Sequence, residues 1–131
     1  RSDSRTAKVI DSSIYLIENM HKVPALVMPL RLDRPPVGED EAGSVAGYFG
    51  SVLPSVWSFQ LAARARGLGS AWTTFHLAHE EAIAELLGIP NSVTQCALLP
   101  IAFYKGDSFS PAPRKKASEI TYLNQWKHSV L

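Results

Sequence analysis

The side chains able to do chemistry are few in this sequence, and they do not form a known catalytic set. His76 and His79 lie three residues apart, but no third ligand follows at a suitable spacing, so we expect no metal site. Glu80 and Glu81 are explained by the first turn of a helix, where acidic side chains offset the partial positive charge of the helix end. The side chains alone therefore predict neither a metal centre nor an acid–base or nucleophilic centre.

The segment Gly67-Leu68-Gly69 has two interpretations. In the first, it is the left-handed end of a helix followed by a tight turn into a strand. In the second, a backbone without side chains lets a planar ligand approach closely. Taken alone, the segment favours the first interpretation.

The run Arg114-Lys115-Lys116 follows a proline-rich loop and is the densest cationic stretch of the chain. Most such runs are simply solvated. The alternative is a phosphate clamp, because a dianionic phosphate needs several cations or backbone donors and the planar arginine fork fits that geometry. Both interpretations remain open at this point.

The three tryptophans and the single cysteine are predicted to pack. Tryptophans are more often core or interface anchors than cofactor-stacking groups, and Trp57 lies in a strongly apolar helix pattern. Trp126 follows polar residues near the end of the chain, so we expect it to dock a tail onto an apolar surface. Cys96 lies in a predicted buried strand, where a free thiol behaves as a small hydrophobe.

The composition narrows the class of protein. With 131 residues, 46% hydrophobic and 19% charged, the chain is typical of one globular domain, 1–131. Its 13 basic and 12 acidic residues give a net charge of +1, which does not favour a nucleic-acid or anionic-membrane partner. No apolar run approaches the roughly 20 residues of a membrane span. The polar start and the lone cysteine lead us to expect no signal peptide and a cytoplasmic location.

The hydrophobic pattern predicts the elements that must position these residues. They are a helix over 12–22, a buried strand over 23–30, a loop over 31–47, a long helix from about Phe49 or Pro54 to Arg66, an extended piece over 68–75, a helix from Glu80 to Gly88, a second buried strand over 93–104, and a loop with a tail from Lys105. The apolar arc of the long helix is wide, which predicts burial on most sides, in the core or at a subunit interface. Ser12 or Ser13 can cap the N-terminus of the first of these helices. Mixed helices and strands indicate an α+β architecture.

Several segments, taken in order, resemble the nitroreductase family. Residues 54–74 look like the family's central helix and following strand, in which a helix of small and aliphatic residues ends in Ala-Arg-x-x-Gly-Leu-Gly. Residues 85–90 match the family's Glu-Leu-Leu-Gly-Ile-Pro segment, and residues 98–103 are similar to its last strand. The resemblance extends from Tyr15 to Trp126.

The resemblance implies a nitroreductase-like α+β fold with a mixed sheet, flanking helices, a buried central helix and an extended C-terminal tail. It also implies a homodimer with FMN at the subunit interface, and a tail that wraps the partner. In the family, residues after the Gly-Leu-Gly turn pass the isoalloxazine ring, and a basic residue before the tail contacts the FMN phosphate. The implied cofactor-binding residues are Gly69, Trp72, Thr73, Thr74, Phe75, Arg114, Lys115 and Lys116.

The implied activity is reduction of nitro compounds, quinones or similar acceptors by NADH or NADPH, through ping-pong hydride transfer. The family's N-terminal phosphate-binding motif has no counterpart before Arg1, and its Gln-Asn pair is replaced by Trp57-Ser58. The glycine of its last strand is Ala102. The alternative is therefore a truncated or non-catalytic module for dimerisation or flavin binding on the same fold.

Overall fold

The computed structural model describes residues 4–38, 41–106 and 109–128, with the side chains of Ser4, Arg5 and Glu41 left undescribed. The α-helices are α1 (Ser4–Asn19), α2 (Glu41–Gly50), α3 (Leu53–Arg64) and α4 (Glu80–Leu87). The strands are β1 (Ala25–Val27), β2 (Leu30–Arg31), β3 (Leu68–Ser70), β4 (Thr94–Gln95) and β5 (Leu99–Phe103). Short 3-10 helices cover Met20–Lys22, Phe75–His79 and Ala117–Glu119.

Helix α1 begins well before the predicted start at residue 12. Ser12 and Ser13, which we expected to cap it, lie inside the helix, where the Ser13 hydroxyl donates a hydrogen bond to the Val9 carbonyl at 2.9 Å. A hydroxyl that bonds back to the preceding turn is compatible with a helix interior. The helix then tightens into the 3-10 turn at Met20–Lys22, so its predicted end is confirmed.

The strands form two small sheets, with order β1–β5–β3 and β2–β4. β5 lies between its two neighbours and is antiparallel to both. The prediction of a mixed sheet is therefore wrong within the described ranges, where every strand pairing is antiparallel. β1 and β3 run in the same direction, but β5 separates them, so no parallel ladder forms between them.

Each of the two predicted long strands is interrupted. The apolar run 23–30 divides into β1 and β2 around Pro29, whose carbonyl accepts a hydrogen bond from the Cys96 amide at 3.0 Å. The run 93–104 divides into β4 and β5 on either side of residues 96–98. Proline cannot donate to a strand ladder, which explains the break in the first run.

The predicted loop over 31–47 is wrong in its second half, because α2 covers Glu41–Gly50 and includes Gly43 and Gly47. Tyr48 supplies the tertiary anchor. Its side chain is buried, and its hydroxyl contacts the Asp33 carbonyl at 2.6 Å and the Thr94 hydroxyl at 2.8 Å. Packing of this kind overrides the weak helix propensity of glycine.

The core lies between α3 and the three-stranded sheet. Its buried side chains are Val56, Ala97, Leu99 and Ile101, with Val27, Val52 and Leu68 packed against them. Of α3 itself, only Val56 and Ala63 are buried, and the prediction of a helix buried on most sides is wrong for the isolated chain. Trp57 is 60% exposed, so it does not belong to this core.

The predicted boundaries of α4 are confirmed, whereas α3 ends at Arg64, two residues before its predicted end at Arg66, with Ala65 as its C-cap. Pro54 opens α3, and Gly67 follows its end with a positive φ of 78°. Gly88 closes α4 in the left-handed conformation, with a φ of 67°. Glycine adopts these angles without the steric cost that a Cβ would cause. The described part of the tail, 109–128, has no regular element apart from one 3-10 turn.

Candidate functional site

Four of the eight predicted cofactor-binding residues border two separate clefts. One, which we call the α1 cleft, lies between α1 and the segment after β3 and has a volume of about 450 Å³. The other, the α3 cleft, lies between α3 and β3 and has a volume of about 210 Å³. Trp72, Thr73 and Phe75 line the α1 cleft, whereas Gly69 lines the α3 cleft.

The α1 cleft has one aromatic wall and one helical wall. Trp72 and Phe75 are 37% and 60% exposed, so both rings present their surface to solvent at the cleft. The helical wall consists of Lys8, Val9, Ser12, Ser13 and Leu16. A concave site with apolar walls and a few polar groups is typical of small-molecule binding.

Thr73 fixes the floor of the α1 cleft to the sheet. Its amide donates to the Leu98 carbonyl at 3.1 Å, and the Leu98 amide donates to the Thr73 carbonyl at 2.9 Å. The Thr73 hydroxyl donates to the same Leu98 carbonyl at 2.8 Å. In extended backbone the amides alternate in direction, so those of Trp72 and Thr74 point away from this pairing. The segment thus offers backbone donors on its outer side.

The charge in the α1 cleft comes from Lys8, since none of its lining residues is acidic. Within the described ranges, no carboxylate lies within ion-pair distance of this ammonium group. The Ser13 hydroxyl is engaged with the Val9 carbonyl, while Ser12 is the second hydroxyl of the wall. The cleft therefore combines aromatic surface with a cation.

Sequence reasoning missed the helical wall. Lys8 precedes the predicted helix, and Ser12 and Ser13 were expected to act only as caps. The signal was the spacing of Lys8, Ser12 and Leu16, four residues apart, which places them on one face of a helix. That spacing places the three side chains on one face only if the helix starts before Lys8.

The remaining predicted residues lie outside the α1 cleft. Thr74 is exposed and precedes the 3-10 helix, where its carbonyl accepts from the Leu77 amide at 3.1 Å. Arg114, Lys115 and Lys116 are exposed and line neither cleft. A phosphate-binding role for this basic run therefore remains a prediction.

Behind the aromatic wall, a polar cluster holds the N-terminus of α4. The Arg34 guanidinium donates to both Glu80 carboxylate oxygens, at 2.8 and 3.3 Å, and to the Val93 carbonyl at 3.0 Å. Gln95 donates through its side-chain amide to the Glu80 carbonyl at 2.9 Å. The hydrogen bond from Arg34 holds the pKa of the Glu80 carboxyl below its usual range. Glu80 therefore has a structural role besides offsetting the helix charge.

His76 is buried directly after the aromatic wall. It is 8% exposed, and neither ring nitrogen has a hydrogen-bond partner within the described part of the chain. Burial lowers the pKa of this imidazole, and the nearby Glu80 carboxylate opposes that effect. The prediction that Cys96 packs in the interior is confirmed, since it is 5% exposed and burial raises the pKa of its thiol.

Over the described ranges, no three His, Cys, Asp or Glu side chains are grouped as a metal ion would require. None of the described helices has the length and apolar character needed to cross a membrane.

Comparison with known proteins agrees with this architecture. The fold is similar to that of a nitroreductase-like family protein from Bacillus cereus, with a TM-score of 0.64 at 18% identity. That likeness covers 89% of this chain but 59% of the Bacillus protein, so the chain spans less than two thirds of that neighbour. A BluB-like flavoprotein from Clostridium difficile 630 aligns with a TM-score of 0.54 at 20% identity, over 92% of this chain and 67% of that protein.

Comparison of sequences gives one negative and one positive result. No curated protein sequence matches the chain. The profile of the Nitroreductase family matches residues 16–102, which include the core strands, the turn at Gly67-Leu68-Gly69 and the aromatic wall. The structure confirms the predicted α+β, nitroreductase-like fold. This chain belongs to the nitroreductase family.

Proposed function

We propose that this chain is a subunit of an FMN-dependent oxidoreductase in which the α1 cleft receives one edge of the isoalloxazine ring. The observation that carries the proposal is the aromatic wall at Trp72 and Phe75, built on the segment after Gly67-Leu68-Gly69. The family and fold support a flavin-related oxidoreductase. The reaction and its substrates are the part that we propose.

The described residues fit a flavin in three respects. The volume of about 450 Å³ lies in the range of roughly 300–1,000 Å³ that small-molecule sites occupy. Trp72 and Phe75 present ring surface on which a planar heterocycle stacks. The Ser12 hydroxyl and the Lys8 ammonium of the helical wall offer hydrogen-bond donors to its polar edge.

The protein's own task is to bind and orient, because the reactive group belongs to the cofactor. When bound, FMN supplies two-electron chemistry, in which NADH or NADPH donates a hydride and a nitro compound, quinone or similar acceptor is reduced in a second half-reaction. Thr73 holds the wall at fixed distance from β5 through its bonds to Leu98. We propose that Lys8 attracts an anionic group of the bound molecules. We propose that Gly69, which precedes the aromatic wall in the chain, helps to position that wall.

The phosphate is assigned to the basic run Arg114-Lys115-Lys116. These side chains do not line the α1 cleft of their own chain, so we propose that they reach the site of a second copy in a homodimer. An exposed apolar stripe on α1, consisting of Ile10, Ile14 and Ile17, offers a surface for that copy. Trp126, 80% exposed in the tail, offers a second anchor.

The same proposal includes the cytoplasm as location, where a buried free thiol such as Cys96 stays reduced. The alternative function is a non-catalytic flavin-binding or dimerisation module. It is favoured by Trp57-Ser58, which stand where the family resemblance implies a Gln-Asn pair.

Titration of FMN into the purified chain tests the proposal. We expect a flavin absorbance band that persists through gel filtration, a dimer in sedimentation velocity, and acceptor-dependent oxidation of NADH or NADPH. Bound FMN without oxidation of either nucleotide selects the non-catalytic module. A protein that retains no flavin band after gel filtration contradicts the oxidoreductase, and if that protein is still a dimer the result selects the dimerisation module.

A further inference from the structure

The α3 cleft contains a cation that the flavin proposal does not use. The Arg64 guanidinium lies over two aromatic rings, 4.3 Å from the Tyr104 centroid and 4.8 Å from the Phe109 centroid. The two rings are themselves in contact, with centroids 4.9 Å apart. Such a cradle holds the flat guanidinium in one place through cation–π and stacking contacts.

The N–H groups of the Arg64 guanidinium are available as donors to a ligand. Within the described ranges, no carboxylate lies within 4.0 Å of Arg64, and the two ion pairs there involve Arg31 and Arg34. The aromatic rings contact the faces of the guanidinium, whereas its N–H groups point outward in its plane. An arginine that is partly buried against rings, and that pairs with no carboxylate among the described residues, is prepared for a planar, two-oxygen acceptor.

A second donor converges on the same cleft. The Gln60 side-chain amide donates to the Ser70 hydroxyl oxygen at 2.9 Å. Because that oxygen already accepts a hydrogen bond, the hydroxyl proton is available to an acceptor in the cleft, which Ser70 lines together with Arg64. The polar end of the cleft thus presents donors from two elements, α3 and β3.

The remaining walls suit a flat ring. Trp57 lies one helical turn before Leu61 on the same face of α3, and its indole borders the cleft with 60% of its surface exposed. Gly69 lies on the opposite wall, where an added Cβ would approach the Tyr104 Cβ at 3.3 Å. The absence of a side chain there lets the Tyr104 side chain of the cradle pack closely against β3.

We propose that the α3 cleft binds a small aromatic carboxylate. Its carboxylate pairs with the Arg64 fork and the Ser70 hydroxyl, while its ring lies against Trp57. The volume of about 210 Å³ is below the roughly 300 Å³ of the smallest drug-sized pockets, which limits the ligand to about one ring. This site is separate from the proposed flavin site, which uses residues of the α1 cleft.

Benzoate is the probe, and benzamide is its uncharged match. We expect benzoate to shift the Trp57 indole N–H resonance, assigned through Trp57→Phe, in a saturable way in two-dimensional NMR of the full chain. Benzamide should bind at least about tenfold more weakly, since loss of a charge-assisted hydrogen bond has at least that effect. Cyclohexanecarboxylate, which keeps the charge but not the flat ring, should also bind more weakly than benzoate.

Arg64→Met tests the cradle, because methionine can cover the two rings without the charge. We expect it to weaken benzoate binding about tenfold or more, while Arg64→Lys weakens it less. Arg66→Met is the matched control, since Arg66 lies two residues away, is exposed, and bonds only to the Ala62 carbonyl at 3.0 Å among the described residues. Its affinity should equal that of the parent chain.

Several outcomes overturn the proposal. They are no saturable shift at Trp57, equal affinity for benzoate and benzamide, or unchanged benzoate binding in a folded Arg64→Met variant. A dimer that dissociates more readily in Arg64→Met, without any benzoate effect, would show that the cradle serves a protein carboxylate instead. The NMR fingerprint of each variant reports whether it is folded.

Discussion

The α3 cleft is lined by strand β3 and the α1 cleft by the segment that follows it, yet the two clefts differ in the cation that each contains. In the α1 cleft the cation is Lys8, on a flexible stem from a helix that follows the cleft's outer wall. In the α3 cleft the cation is Arg64, held by two aromatic rings. A flexible ammonium adapts to ligands of varied shape, whereas a fixed guanidinium selects a planar acceptor. This difference agrees with the proposals that the α1 cleft receives part of a flavin and that the smaller α3 cleft receives a planar carboxylate.

The largest expected effect comes from the core that both clefts share. Leu99 is fully buried in β5, which pairs with β3. Leu99→Ala should lower the free energy of unfolding by about 2–5 kcal/mol. Chemical denaturation measures it, and Leu86→Ala, at an exposed position of α4, is the control with an expected change within about 0.5 kcal/mol. Equal effects at the two positions would contradict the core assignment.

The second prediction concerns the basic run, whose neutralisation should affect ligand binding in only one of the two clefts. Replacing Arg114, Lys115 and Lys116 together with glutamine should weaken FMN binding by roughly 1.5–3 kcal/mol for each charged hydrogen bond lost. The same triple variant should bind benzoate in the α3 cleft as the parent does, since none of the three lines it. Flavin fluorescence titration gives the first affinity and NMR the second. Unchanged FMN affinity would return this run to the solvated interpretation.

The third prediction compares the aromatic walls of the two clefts by removing one tryptophan from each. Trp72→Ala should weaken FMN binding by about 0.5–1.5 kcal/mol, or roughly two- to tenfold, and leave benzoate binding unchanged. Trp57→Ala should do the reverse, because Trp57 borders only the α3 cleft. Isothermal titration of both ligands against both variants measures the exchange. If either variant weakens both ligands equally, the two clefts are not independent sites.

The smallest expected effect is a dependence of stability and FMN affinity on pH. Of the two clefts, only the α1 cleft should lose affinity for its ligand. The buried imidazole of His76 has a lowered pKa, so the unfolded chain takes up its proton first as the pH falls. The stability linked to neutral His76 is therefore full above about pH 6.5, the usual value, and declines below it. Since His76 follows Phe75 in the 3-10 helix, FMN affinity should decline with it.

Melting temperatures and FMN titrations between about pH 7.5 and pH 5.5 measure this dependence. His76→Leu should flatten both profiles, and His79→Leu, at an exposed position of the same 3-10 helix, serves as the control. Benzoate affinity in the α3 cleft should remain constant over this range. Profiles that stay equally steep in His76→Leu would assign the dependence to other groups.

Prediction from sequence succeeded where the signal was local. The ends of α3 and α4 are marked by Pro54, Gly67 and Gly88, whose backbone preferences act within a few residues. The prediction failed for α2, where the Gly-rich pattern indicated a loop and the buried Tyr48 holds a helix in place. It also failed for the burial of Trp57, because a wide apolar arc does not reveal which part of it faces the same chain.

The candidate site was predicted in the same uneven way. Trp72, Thr73 and Phe75 were identified together through the family resemblance, and the structure places all three on one cleft. The opposite wall was missed, because Lys8 and Leu16 are some 60 residues earlier in the chain and no local pattern connects them to Trp72. Gly69 was assigned to the same site but lines the other cleft, since strand β3 separates the two.

The sequence by itself determined the family, the α+β class and the turns, because motif order and glycine or proline geometry are properties of neighbouring residues. Only the tertiary structure decided that β5 lies between β1 and β3, that α1 forms a wall against the Trp72 segment, and that Arg64 lies over Tyr104 and Phe109. Those features join residues far apart in the chain. Their formation depends on which apolar surfaces pack together, and a periodic pattern does not specify that choice.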